Sequence, residues 1–184
     1  MAAAAVWLAG CASAPQVAVV EPIGPGPMVG ASGSGDGSLV IYSARMPAVV
    51  DLNQDQWLSN ITPGRIDSGY VPAHTSYTLY TKGGEWVKSV VNACDENDGT
   101  PSIVSLAPGA YRVEAQAINC DGGRITVILP VVIKAAEATV AHLDGGWTPQ
   151  GYTESEVAKL PCGRVIGWRA AEGEFASAAQ PSLN

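Results

Sequence analysis

Between residues 74 and 144 the chain alternates apolar and polar positions with a period of two, the pattern of strands half-buried in a sheet. The clearest run is "AYRVEAQA": Tyr111, Val113, Ala115 and Ala117 point one way, Arg112, Glu114 and Gln116 the other. It predicts an antiparallel strand with one wet face. "TSYTLYT" and "EWVKSVV" read as two strands joined at Lys82-Gly83-Gly84, where Gly-Gly supplies the positive φ of a primed hairpin turn. "SIVSL" is a short strand. Ala107-Pro108-Gly109 then predicts a type II turn, with Pro setting one φ and Gly accepting a positive one. Asp121-Gly122-Gly123 turns the chain again. "RITVILPVVI" is apolar on both faces and predicts a central strand, in which Pro130 forces a bulge or an edge exit. "SLVIYSA", "ATVAHL" and "CGRVIGWRA" complete the set.

The other stretches hold no sustained period. Residues 12–37 are rich in Ala, Pro, Gly and Ser and predict a flexible tether. Residues 47–73 read as a long loop with one helical turn after Asp51, a candidate N-cap, broken by Pro63, Gly64 and Pro72. About seven short strands joined by tight turns predict an all-β fold, an antiparallel β-sandwich of the immunoglobulin-like or transthyretin-like kind. The expected division is a signal peptide over 1–10, cut short at its start, a tether over 11–37 and the sandwich over 38–146. An irregular C-terminal extension over 147–170 and a disordered tail over 171–184 follow.

Composition narrows the function. With 47% hydrophobic residues a core can be built, yet charged residues are only 15% and the net charge is -7. Such a chain lacks the basic footprint of a nucleic-acid binder and the polybasic patch that attracts anionic lipids. No apolar run reaches the ~18 residues of a transmembrane helix, so membrane contact is expected through an anchor.

Leu8-Ala9-Gly10-Cys11 sits behind an apolar stretch and ahead of the Pro/Gly/Ser segment. It resembles the lipobox of bacterial lipoproteins, in which a peptidase cuts before a cysteine whose sulfur carries diacylglycerol. The expected positive charge at the start of such a leader is missing, since only Met1-Ala2-Ala3 precede the apolar run. The resemblance implies export and lipidation of Cys11. Ala12 stands where an Asp would signal inner-membrane retention, which implies the outer membrane, with the domain facing the periplasm or the cell surface. Each buried methylene of such an anchor contributes about 0.8 kcal/mol, so more than one acyl chain holds stably.

Leu106-Ala107-Pro108-Gly109-Ala110-Tyr111-Arg112-Val113 is similar to the turn and strand of carboxypeptidase-regulatory-like and transthyretin-like sandwich domains. The resemblance implies a fold and little about activity. Transthyretin-like hydrolases of the purine pathway end in Tyr-Arg-Gly-Ser. This chain ends Pro-Ser-Leu-Asn, which counts against their chemistry.

With Cys11 lipidated, Cys94, Cys120 and Cys162 remain, and in an oxidising compartment two of the three are expected to pair. Cys94–Cys120 is the favoured bridge, and pairing of either with Cys162 is the competitor. No Cys-x-x-Cys occurs.

Catalytic signatures are thin. Asp51-Leu52-Asn53-Gln54-Asp55 has the alternate oxygens of a calcium loop, but Gln56 replaces its glycine and Thr62 its bidentate glutamate. Asp95-Glu96-Asn97-Asp98 reads as a solvated loop. His74 and His142 belong to no metal-binding pair, and "GASGSGDG" lacks the spacing of a nucleophile elbow. No catalytic residue, metal or cofactor is expected.

The aromatic residues are the surplus. Trp86 and Tyr80 flank the Gly-Gly turn as a cross-strand pair, and "GGWTPQGY" offers Trp147 and Tyr152 as a contact surface. The sequence therefore predicts a non-catalytic binding or structural role at the cell envelope, with an envelope protein or a glycan as partner. A carbohydrate- or peptidoglycan-binding module using exposed Trp and Tyr is the alternative, and a hydrolase comes third.

Overall fold

Alternation along the chain becomes two facing sheets in the computed structural model, which describes residues 17–27, 35–46, 73–92, 100–171 and 173–177. The spine is a long hairpin. Strand β6 (Gly109–Ile118) pairs antiparallel with β7 (Arg124–Ile133) at every position from Gly109↔Ile133 to Ile118↔Arg124. Tyr111, Val113, Ala115 and Ala117 of β6 are buried, as are Ile125, Val127, Leu129, Val131 and Ile133 of β7. Two more strands, β3 (Tyr77–Thr81) and β4 (Trp86–Val90), extend this sheet on the β6 side. On the other side β1 (Val17–Val19) lies parallel to β7.

The second sheet has β2 (Gly37–Tyr42) at its centre, antiparallel to β5 (Ile103–Leu106) and parallel to β8 (Ala138–His142). Leu39, Ile41, Val104, Leu106 and Ala141 from this sheet share one core with Leu79, Tyr111, Val113, Val127 and Leu129 from the first. Each fully buried aliphatic chain contributes about 1.5–3 kcal/mol to that packing. The chain crosses between sheets at Ala107-Pro108, where the Tyr111 hydroxyl donates to the Ala107 carbonyl at 3.0 Å, a tyrosine corner. The fold is all-β as expected. Two of its strand pairs are parallel, which alternation alone does not reveal.

Three turns share one design. In Thr81–Glu85, Asn119–Gly123 and Leu160–Arg164 the first N–H donates to the fifth carbonyl, at 2.8 Å each time. The fourth residue, Gly84, Gly122 or Gly163, has positive φ and donates back to the first carbonyl. These are three-residue hairpin loops with glycine in the left-handed position. The two-residue primed turn expected at Gly83-Gly84 is therefore not formed, since only Gly84 has positive φ. Gly109 likewise lacks positive φ and simply begins β6.

Pro130 is accommodated without a break in the β6–β7 register. Its carbonyl accepts from the Ile23 N–H at 3.0 Å, so its nitrogen, on the same side of the strand, faces the N-terminal segment. That segment carries the irregularity. Val19 pairs with Ile128 but Ile23 with Val131, one extra residue opposite the missing donor.

Residues 17–27, expected in the tether, are thus part of the fold. Ile23 is fully buried, and Gly24 and Pro22 exchange hydrogen bonds with Trp168 and Ala170. The residues after 147 are also more regular than expected: β9 (Val157–Lys159) and β10 (Val165–Trp168) form a hairpin with Val157, Leu160 and Ile166 buried. A single helical turn, α1 (Glu174–Ser177), follows within the segment expected to be disordered, and Lys134 pairs with Glu174 at 2.7 Å. Cys11, the turn after Asp51, Cys94 and the 95–98 acidic cluster lie outside the described residues.

The disulfide joins Cys120 to Cys162, with 5.9 Å between Cα atoms. The favoured Cys94–Cys120 bridge is corrected to the competing pair. The cause is the β9–β10 hairpin, formed where an irregular extension is expected. It brings one glycine loop beside another, and Arg164 Nη1 donates to the Ile118 carbonyl at 2.8 Å next to the bridge.

Candidate functional site

Residues at the ends of β2 and β8 begin an aromatic column. Tyr42 and His142 are partners in the parallel pair, so both side chains leave the sheet on one face. Their rings stack 4.7 Å apart, 11° from parallel. After His142 the chain reverses at Asp144-Gly145-Gly146, where Gly145 has positive φ and Asp144 Oδ1 accepts from the Gly146 N–H. The reversal lays Trp147 on the free face of His142, at 4.5 Å and 9°. Trp168 from β10 meets Trp147 nearly at right angles, with centroids 6.2 Å apart. At the other end the buried His74 sets its ring edge against Tyr42 at 5.6 Å.

His74 is held by the backbone, since its Nδ1 donates to the Ser43 carbonyl. The Ser43 hydroxyl donates to the Thr75 carbonyl, and Asn92 Nδ2 bonds both the Ile41 carbonyl and Ser43 Oγ. This buried polar network fixes the base of the column, where an unmade bond would cost about 1–3 kcal/mol.

A cavity of about 310 Å³ opens where the two indoles meet, lined by Pro27, Ala138, Val140, His142, Trp147 and Trp168. Ala138, Val140 and His142 are alternate residues of β8 and share its outward face. Gly26 closes one side. A Cβ there would come within 2.7 Å of Trp168 Cδ1, so only glycine lets the backbone approach the pyrrole edge of the indole this closely. Beyond Gly26, Pro27 and Trp168 lies a larger hollow of about 1070 Å³, whose rim carries Lys134, Arg169 and four glutamates, Glu21, Glu137, Glu156 and Glu174. Arg169 pairs with Glu21 at 2.8 Å.

Burial pushes the His142 imidazole below its ordinary pKa, and the nearby Asp144 charge opposes that shift. The ring is neutral at neutral pH. Glu174 is held below the usual carboxylate range by the hydrogen bond from Lys134, helped by the Ala171 N–H. Glu156 is lowered by the backbone and hydroxyl donors of Thr153.

A second aromatic surface lies on the outer face of the five-stranded sheet. Tyr80 and Trp86 are cross-strand partners, as expected, and Trp86 is 63% exposed. Tyr80 stands between two shallow depressions bounded by Thr78, Ser89, Arg112, Glu114 and Gln116.

Trp147 thus lies in the column and Trp86 with Tyr80 on the opposite surface, while Tyr152 is half-buried and is not one of the stacked rings. Sequence reasoning misses Tyr42, counts Trp168 only among the surplus aromatic residues, and takes His142 for a structural or surface histidine. Their only signal is an aromatic residue at the end of a β-rich run, which carries no motif. No family model matches the chain, nor does any curated protein or solved structure.

Proposed function

We propose that this chain is an exported domain, anchored to the cell envelope through a lipid on Cys11, that binds its ligand rather than transforming it. One observation carries the binding half: the Tyr42–His142–Trp147 stack ends in an open, apolar corner with Trp168, the kind of concave aromatic wall that ligand sites use. His142 has both ring faces covered, which suits a fixed wall better than a mobile acid or base. The Leu8-Ala9-Gly10-Cys11 run supports the anchor, and a disulfide between two exposed turns supports an oxidising compartment such as the periplasm or cell surface. Growth with an alkyne fatty acid should label the protein and leave it in the membrane fraction, and Cys11→Ser should lose both. Label retained in that variant would overturn the anchor. For binding, tryptophan emission should respond saturably to a cognate ligand, and Trp147→Ala should weaken that binding.

A second reading concerns glycans. The Tyr80–Trp86 pair stands among hydroxyl, amide and carboxylate groups, so a sugar could stack its C–H face on the rings and bond its hydroxyls beside them. Pull-down of the lipidated protein from its own membrane would separate both readings from a purely structural role with an envelope protein.

A further inference from the structure

We propose that the corner between Trp147 and Trp168 binds a small alkylated ammonium group, of the trimethylammonium type. This rests on the reading of the column as a binding wall and names the ligand class.

The geometry comes first. The two indoles line one cavity, with planes 76° apart and centroids separated by 6.2 Å. A cation in the cavity can sit within the ~6 Å reach of a cation–π contact from both centroids, which are 6.2 Å apart. Trp is the best aromatic partner for a cation, and the cavity offers two of them.

The lining selects against other ligands. Pro27, Ala138 and Val140 are aliphatic, and the imidazole and indole nitrogens are the polar side-chain atoms on offer. A sugar or a peptide amide placed there would lose water at groups with few partners, a cost of roughly 1–3 kcal/mol for each unpaired group. A methylated ammonium has no N–H to satisfy and presents methyl groups to the aliphatic wall. At about 310 Å³ the cavity suits one headgroup rather than an oligomer.

Charge points the same way. No Lys or Arg lines the corner. The adjoining hollow, which shares Gly26, Pro27 and Trp168 with it, sets four carboxylates against two cations. Glu137 belongs to that rim and makes no salt bridge among the described residues. The whole chain carries -7.

The test titrates the full-length protein with choline, with tetramethylammonium, and with 3,3-dimethylbutan-1-ol, the uncharged carbon analogue of choline, at constant ionic strength. Tryptophan emission and calorimetry report binding. Both cations should bind saturably, about tenfold more tightly than the neutral alcohol, and Trp147→Ala should weaken them about tenfold with the far-ultraviolet dichroism unchanged. Trp147→Phe should recover part of the loss. Equal affinity for choline and the alcohol, or no saturable response to either cation, overturns the assignment. A saccharide or peptide that binds in a Trp147-dependent way while choline does not would overturn the cation and leave the binding wall standing. Failure of every probe would remove both. Sedimentation with phosphatidylcholine vesicles against phosphatidylglycerol vesicles then separates a lipid headgroup from a free solute.

Discussion

Tyr42 and His142 sit side by side on two parallel strands, in register, with rings stacked 4.7 Å apart and nearly parallel. Exact partnership across a parallel pair keeps both side chains on one face, and Trp147 then caps the pair at 4.5 Å. His142 is the middle ring of three. Removing it as His142→Ala should separate the outer two and cost about 1–2 kcal/mol, since each stacked pair contributes about 0.5–1.5 kcal/mol beyond area burial. His142→Phe should keep most of that stability. Denaturant unfolding followed by tryptophan emission checks both.

The same residue makes stability depend on pH. Burial lowers the folded-state pKa of His142 below 6.5, with the Asp144 charge partly opposing. The unfolded chain therefore takes up that proton first as pH falls. The stabilising contribution is full above the unfolded value, declines as pH drops below it, and levels off once the folded ring is protonated. His142→Phe should remove this component between pH 7 and 5 while the carboxylates titrate equally in both proteins. Unfolding midpoints that track identically in the two would show that His142 is not the source.

Reduction of Cys120–Cys162 should release the β9–β10 hairpin first. The bridge closes a separation of 42 residues, worth about 4 kcal/mol on the loop-entropy argument. Both cysteines are exposed, so a mild reductant should reach them in the folded protein. Hydrogen exchange in 157–168 should quicken more than in β6 or β7. Peptide mapping without reduction should recover Cys120 linked to Cys162.

Gly26→Ala tests the seat of Trp168. Its Cβ would lie 2.7 Å from Cδ1 and 2.8 Å from Nε1, so the indole or the 24–27 segment must move. The expected cost is about 1–3 kcal/mol, with an altered tryptophan emission spectrum. Gly122→Asn, at a turn with positive φ and open space, should be far milder.

Trp86→Ala, by contrast, should change stability by no more than about 0.5 kcal/mol, because the ring is 63% exposed. If the outer sheet face takes glycans, Trp86→Ala and Tyr80→Ala should both lose that binding and Trp147→Ala should not.

Local signals carried much of the fold. The alternation of Tyr111 to Ala117 foretells β6, and the cross-strand placement of Tyr80 and Trp86 follows from the short loop between them. Non-local partnerships were not legible. Nothing in "SLVIYSA" says that Tyr42 will lie beside a residue one hundred positions later, because parallel pairing is set by the whole core and leaves no turn to read. Val17 to Ile23 reads as linker because it runs into the Gly- and Pro-rich stretch after Pro22, yet its apolar residues find the open edge of β7. The pairing of Cys120 depended on that same kind of distant closure, through the β9–β10 hairpin.

The early start of β1 has a mechanical consequence. Val17 is already hydrogen-bonded into the first sheet, and Cys11 precedes it by only six residues. Six residues drawn out fully reach about 20 Å. A chain tied to lipid at Cys11 would be held on a short leash, its sandwich resting close against the headgroups. Whatever it meets would have to come to the membrane plane, since the leash is too short for the domain to sweep out into the space beyond.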